Sequence, residues 1–129
     1  MSGGVEHASP AGVRLRAIVN VSSGAARSGS PNDYVDYAAS KGAIDSFATG
    51  LAREVAAGNI RVNGVRSGFI PTGTRASGGE PDRVECPEGR IRTGRGGTAE
   101  KVARAIPWPL SVEASCASVT CIDVTGGVV

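Results

Sequence analysis

Hydrophobic and polar positions divide the chain into alternating strand-like and helix-like segments. Residues 17–22 form a short, mostly apolar run, which predicts a buried strand. Residues 33–57 carry apolar side chains at helical spacing and end at Gly58-Asn59, a stop signal that predicts a long helix. Residues 60–65 predict a second strand. This succession predicts a parallel β-α-β unit with a right-handed crossover.

Three further stretches lack a clear period. Residues 1–16 are a polar leader that we expect to be disordered, and residues 24–32 form a loop rich in Gly, Ser and Pro. A long, weakly apolar stretch follows at residues 68–97, where arginines are interspersed with acidic residues. Since these charges largely cancel and no aromatic residues interleave, a solvated loop is favoured over a nucleic-acid surface.

Regular structure is expected again near the carboxyl terminus. Thr98 is the expected N-cap of a short helix over residues 98–106, and residues 119–124 predict the last strand. The pattern therefore predicts an α/β fold over residues 17–129, with about three parallel strands and their helices.

Composition limits the chain to a single small domain. It has 129 residues, 40% of them hydrophobic and only 4% aromatic, so large core side chains are few. The 19 glycines raise the conformational entropy lost on folding. A net charge of +2 is too small to argue for nucleic acid as a partner.

Cysteine and histidine usage gives no metal site. The sequence has an odd number of cysteines, and none of them has the spacing of zinc ligands: Cys86, Cys116 and Cys121. We therefore expect these to be reduced thiols of a cytoplasmic protein. His7 lies in the polar leader and is expected to be solvated. Residues 1–16 lack the apolar segment of a signal peptide, and no stretch approaches membrane-spanning length, so no membrane partner is expected.

The candidate catalytic residues are Tyr37, Lys41 and a nearby serine. These residues are four apart on the predicted long helix and so share one face. Ser23, just after the first predicted strand, can reach the same point from the side. A phenol beside an ammonium gives up its proton more readily than a free phenol, and a nearby hydroxyl can hold a substrate oxygen. The three residues suit proton transfer in carbonyl and alcohol chemistry.

Motifs in this order resemble the short-chain dehydrogenase/reductase family. The matching segments are Asn20-Val21-Ser22-Ser23, Tyr37-x-x-x-Lys41 and Ile60-Arg61-Val62-Asn63-Gly64-Val65, followed by Gly68 and Thr72. The resemblance runs from about residue 17 to residue 127 but covers only the carboxyl-terminal half of the family's Rossmann-type, three-layer fold. It implies an oxidoreductase that uses NAD or NADP and transfers hydride between nicotinamide and a small carbonyl or alcohol substrate.

The resemblance also implies roles for individual residues. Tyr37 is similar to the family's general acid/base, and Ser23, rather than Ser22, to its substrate-oxygen ligand. Lys41 is similar to the residue that promotes ionisation of the tyrosine and hydrogen-bonds the nicotinamide ribose. Tyr34 is seven residues from Lys41, not four, and does not match the motif.

Cofactor contacts are implied for the segment after the second strand. Thr72 resembles the threonine that holds the nicotinamide carboxamide, and Ile70 would offer a backbone N–H beside Gly68. An ordinary loop threonine is an equally good interpretation of Thr72. In the family, the region corresponding to residues 68–97 is a mobile substrate lid.

Parts of the family pattern are not found in this sequence. No glycine-rich turn joins a strand to a helix, so the usual pyrophosphate site is missing, and with it the residues that distinguish NAD from NADP. The family's catalytic Asn is expected upstream of the first strand. Two hypotheses follow: a short-chain oxidoreductase, or a truncated, non-catalytic remnant that docks on a partner. For the second, the helix over residues 33–57 would form the interface, as such helices do in this family.

Several residues depart from the family pattern. Ser67 replaces a proline, and Pro107 and Pro109 fall where the family continues a helix. An interior proline costs a helix about 3 kcal/mol or more. Cys116 and Val119 stand where an aromatic residue and a glycine are usual, and a β-branched residue takes a positive φ only with strain.

Overall fold

The computed structural model describes residues 16–71 and 88–129. Thr72 and the leader before Arg16 lie outside the described residues. The strands and helices, in chain order, are β1 (Arg16–Ser23), α1 (Ala25–Ser28), α2 (Val35–Val55), β2 (Ile60–Ser67), α3 (Ala99–Ala105), α4 (Pro107–Leu110) and β3 (Cys121–Val124). Short 3-10 helices cover Ala56–Gly58, Glu88–Arg90 and Val112–Ala114.

The three strands form one parallel sheet in the order β1-β2-β3. Arg16 pairs with Ile60 and Ser23 with Ser67, so β1 and β2 run side by side over their full length. Helix α2 connects β1 to β2 and packs on both strands. The predicted parallel β-α-β unit is confirmed.

Helices lie on both faces of the sheet, as the contacts of β2 show, since successive side chains of a strand point to opposite faces. Arg66 bonds to Asp45 of α2 on one face. Arg61, of opposite parity along the strand, bonds to the carbonyl of Pro109 in α4 on the other face. The structure is therefore a partial three-layer α/β fold, as the sequence predicted.

A buried polar clamp on β2 holds the carboxyl-terminal segment. Arg61 is 5% exposed, and its guanidinium donates to the carbonyls of Pro109 at 2.7 Å and Ser111 at 2.9 Å. The side chain of Asn63 donates to Ala117 O at 2.8 Å and accepts from Thr120 N at 3.2 Å. These bonds fix the irregular chain between α4 and β3, which has few large apolar side chains of its own.

Element boundaries differ from the sequence prediction in local detail. β1 begins at Arg16, which the sequence had assigned to the leader, and α2 ends at Val55 rather than residue 57. The expected loop over residues 24–32 contains the short helix α1, which is capped at its carboxyl end by Gly29 with a left-handed φ of 73°. β3 starts at Cys121, two residues later than predicted.

The unusual residues near the carboxyl terminus are accommodated locally. Helix α3 ends at Ala105, and Pro107 occupies the first position of α4, where a missing N–H carries little penalty. Val119 has a φ of 60°, the strained left-handed conformation that its place in the sequence suggested. Its N–H donates to Val62 O at 2.9 Å, and this bond helps hold the conformation.

Candidate active site

A cleft of about 590 Å³ opens at the carboxyl ends of β1 and β2. In parallel α/β sheets, this edge is where ligands usually bind. Ser23, Tyr37, Gly68 and Ile70 all line it. Four of the six residues predicted from the sequence therefore meet in one cleft. Lys41 is not part of the lining, and Thr72 lies outside the described residues.

The two adjacent serines of β1 have different surroundings. The Ser22 hydroxyl is buried and donates to the Lys41 backbone carbonyl at 3.3 Å, so it ties the strand to α2. Ser23 lines the cleft, and its Oγ accepts the backbone N–H of Ala25 at 3.2 Å. Because that bond uses a lone pair, the hydroxyl hydrogen of Ser23 remains free to donate into the cleft.

Helix α2 presents Tyr37 and Lys41 one turn apart. The Tyr37 side chain is half-exposed at the mouth of the cleft. Lys41 Nζ lies 5.6 Å from the centroid of the Tyr37 ring and donates to Val21 O at 3.3 Å. An ammonium has three hydrogens, so this bond leaves two for other acceptors.

The floor of the cleft is formed where β2 ends. Gly68 N donates to Val124 O at 2.9 Å, which brings the backbone of β2 against the end of β3. A Cβ added to Gly68 would stand 2.5 Å from Thr125 Cα. Phe69 O accepts from Gly97 N at 3.0 Å and so holds the segment that returns before α3. Only glycine allows this close approach at position 68.

Sequence reasoning missed several residues of the cleft. Tyr34, set aside because of its spacing, lines the cleft beside Tyr37. Ile91, Val102 and Val128 reach the same space from distant parts of the chain. No local motif marks these three, because only the fold brings them together.

Two further observations concern membranes and metals. No described helix combines the length and apolar character needed to cross a bilayer. Within residues 16–71 and 88–129, no group of three or more His, Cys, Asp or Glu side chains converges as a metal site would require.

Comparison with known proteins identifies the family. The family described as Enoyl-(Acyl carrier protein) reductase matches residues 3–129. The chain is 61% identical over 111 residues to the uncharacterized oxidoreductase YgfF of Escherichia coli (strain K12), covering 86% of this chain and 45% of that protein. It is 40% identical over 116 residues to the 3-oxoacyl-(acyl-carrier-protein) reductase FabG of Thermotoga maritima, covering 90% of this chain and 46% of that protein.

Solved structures show the same relationship. A short-chain dehydrogenase/reductase described as a glucose/ribitol dehydrogenase, from Brucella melitensis, matches with a TM-score of 0.75 and 33% identity, over 88% of this chain and 45% of its own. An NADPH-bound short chain oxidoreductase from Pseudomonas aeruginosa PAO1, with an atypical catalytic center, matches with a TM-score of 0.74 and 29% identity, over 86% and 45%. The chain thus spans about half the length of these relatives. It belongs to the short-chain dehydrogenase/reductase family of oxidoreductases.

Proposed function

We propose that this chain provides the catalytic half of an NAD(P)-dependent short-chain oxidoreductase acting on a carbonyl or alcohol substrate. The observation that carries the proposal is that Ser23 and Tyr37 line one cleft, with Lys41 one helical turn from Tyr37. Membership of an oxidoreductase family supports the reaction class.

Each residue has a distinct role in this proposal. The free hydroxyl hydrogen of Ser23 donates to the substrate oxygen and fixes its position. The Tyr37 phenol donates a proton to that oxygen during reduction and accepts one during oxidation. The Lys41 ammonium is anchored on Val21 O at 3.3 Å, and its two remaining hydrogens would be available to the phenol and to a hydroxyl of the bound cofactor.

The described residues fit the nicotinamide end of the cofactor. The cleft combines an apolar wall, which includes Val21, Phe69 and Ile70, with the hydroxyls of Ser23 and Tyr37. A planar ring with a polar edge suits such a surface. When bound, the nicotinamide supplies or accepts the hydride. Thr72 follows Ile70 closely in sequence and is proposed to contact the carboxamide.

We expect the 129-residue chain alone to bind NAD(P)H weakly or not at all. Its sequence has no glycine-rich turn between a strand and a helix to hold the pyrophosphate. Charge-assisted hydrogen bonds are worth ~1.5–3 kcal/mol each, and every 1.4 kcal/mol lost weakens binding about tenfold. A fluorescence titration with NADPH measures this, and micromolar affinity would contradict the expectation.

The catalytic assignment is tested by Tyr37→Phe with Tyr34→Phe as its matched control. Both variants are made in this chain after its fusion to the part of E. coli YgfF that the match leaves uncovered. NADPH oxidation is then followed with a panel of carbonyl compounds. We expect Tyr37→Phe to lose turnover by at least about 10²-fold and Tyr34→Phe to retain most of it. Turnover retained in the Tyr37→Phe fusion would remove Tyr37 from the mechanism.

A docking function is the second candidate, and the edge of the sheet favours it. Among the described strands, β1 pairs only with β2, so its other edge is open. Ile18 and Val21 of β1 are 40% and 47% exposed, and Phe47 of α2 is 61% exposed. An open apolar edge favours association with another chain.

Intact-mass measurement in the native cells distinguishes the two candidates. A species near 13.0 kDa would favour a docking remnant, whereas one of about twice that mass would favour a working dehydrogenase. For the docking candidate, we expect the chain to self-associate in a light-scattering measurement and Ile18→Lys to weaken that association. Equal association by the variant would count against β1 as the docking edge.

A further inference from the structure

Four charged side chains form a continuous chain on the α2 face of the sheet. Arg27 Nη1 lies 2.9 Å from Asp123 Oδ2, and Asp123 Oδ1 lies 3.2 Å from Arg66 Nη1. Arg66 Nε in turn lies 2.8 Å from Asp45 Oδ2. The members come from α1, β3, β2 and α2 respectively, so one network joins four elements.

Arg66 is the centre of this network and its least exposed member. Its side chain is 18% exposed, against 52% for Arg27 at the outer end. Burial by itself lowers the pKa of Arg66, but hydrogen bonds to Asp45 and Asp123 outweigh it, and the net pKa is raised. Partly buried, doubly bonded ion pairs contribute more than the exposed pairs that are often worth nothing measurable.

One end of the network lies on α2, the helix that carries Tyr37 and Lys41, and the other lies on α1, which follows Ser23 at the end of β1. Asp45 is one helical turn beyond Lys41 and two beyond Tyr37, so all three share one side of α2. Arg27 lies in α1, directly after the turn in which Ser23 accepts the Ala25 N–H. A shift of α2 along the sheet would therefore move Tyr37 and Lys41 relative to Ser23.

We propose that Arg66 is a positioning residue: by binding Asp45 and Asp123 together, it sets the place of α2 on the sheet and so aligns Lys41 and Tyr37 with Ser23. The functional meaning rests on the proposed oxidoreductase function. The structural part does not, because it concerns only the geometry of α2.

The test is an NMR measurement that needs no turnover. Lys41 Nζ lies 5.6 Å from the centre of the Tyr37 ring, so the ring current displaces the signals of the Lys41 ε-methylene protons. Lys41 Nζ is also held by Val21 O of β1 at 3.3 Å. A shift of α2 along the sheet would break that bond and release the Lys41 side chain from its place beside the ring, so the displacement reports the position of α2 on β1. The sequence contains one other lysine, Lys101, which serves as an internal reference. Tyr37→Leu removes the ring and defines zero displacement.

We compare three variants of the 129-residue chain: Arg66→Met, Arg66→Lys and the control Arg53→Met. Arg53 is an exposed arginine on α2. We expect Arg66→Met to lose most of the Lys41 displacement while its amide spectrum stays dispersed. Arg66→Lys should keep part of it, since an ammonium keeps the charge but lacks the planar fork with which the guanidinium binds both carboxylates. Arg53→Met should keep all of it. If Arg66→Met keeps the displacement, the proposal is overturned, even where its melting temperature falls.

Asp45→Asn provides a second route should Arg66→Met fail to fold. It preserves the shape of the side chain and removes only its charge, and we expect a partial loss of the Lys41 displacement. A displacement equal to wild type in Asp45→Asn would overturn the proposal independently. The proposed function can fail without this proposal. If the Tyr37→Phe fusion kept its turnover, the catalytic role of Tyr37 would be wrong, but the NMR comparison would still test whether Arg66 sets the position of α2.

Discussion

Two substitutions of glycine by alanine should change stability in opposite directions. At Gly68, an added Cβ would lie 2.5 Å from Thr125 Cα and 2.8 Å from Thr125 O, both backbone atoms that cannot rotate away. The ends of β2 and β3 would have to separate, and overpacking of this kind costs about 1–3 kcal/mol. At Gly50, in the exposed middle of α2, nothing lies within 4 Å of the added Cβ.

Gly50→Ala should therefore gain stability, because alanine is favoured over glycine in a helix interior by about 0.8–1.0 kcal/mol. The two variants should differ by about 2–4 kcal/mol in their free energy of unfolding. Urea denaturation followed by circular dichroism, and by the fluorescence of the single tryptophan, Trp108, measures the difference. Equal stability of Gly68→Ala and wild type would refute the close approach of β2 and β3 at the floor of the cleft.

Two further changes test buried groups. Arg61→Met removes two charge-assisted hydrogen bonds, to the Pro109 and Ser111 carbonyls. The free energy of unfolding, measured by urea denaturation, should therefore fall by about 3–6 kcal/mol. A fall of less than about 1 kcal/mol would contradict a stabilising role for these two bonds. Burial raises the pKa of the Cys121 thiol, so its contribution to stability is complete below the unfolded thiol pKa of about 8.5 and is lost as pH rises through the folded value. Stability should thus decline more steeply with alkaline pH in wild type than in Cys121→Ala; parallel curves would show that the thiol is not involved.

Local pattern was sufficient for the main elements of the fold. The apolar run before Ser23, the helical spacing up to Gly58 and the strand pattern of residues 60–65 predicted β1, α2 and β2 within a few residues of their observed ends. Thr98 caps α3 as expected, with its side chain accepting from Lys101 N. These features depend on interactions between residues close in sequence, which a sequence displays directly.

Only part of the candidate site could be predicted from the sequence. The resemblance pointed to Ser23, Tyr37, Gly68 and Ile70, and the fold places all four around one cleft. It gave no reason to expect Tyr34 there, because the motif records spacing to Lys41 and not the shape of the cleft. The chemical roles of these residues are proposals that the variants above test.

The sequence by itself determined the order of the three strands and of helices α2 and α3, the parallel β-α-β unit and the family motifs, because periodicity and motif spacing are local properties. Only the tertiary structure decided that Ser22 bonds to the Lys41 carbonyl while Ser23 lines the cleft. It alone joined Arg66 to Asp45 and Asp123, 21 and 57 residues away in sequence. Partners so distant in sequence leave no periodic trace in a single chain, and they are selected by the packing of α2 and β3 against β2.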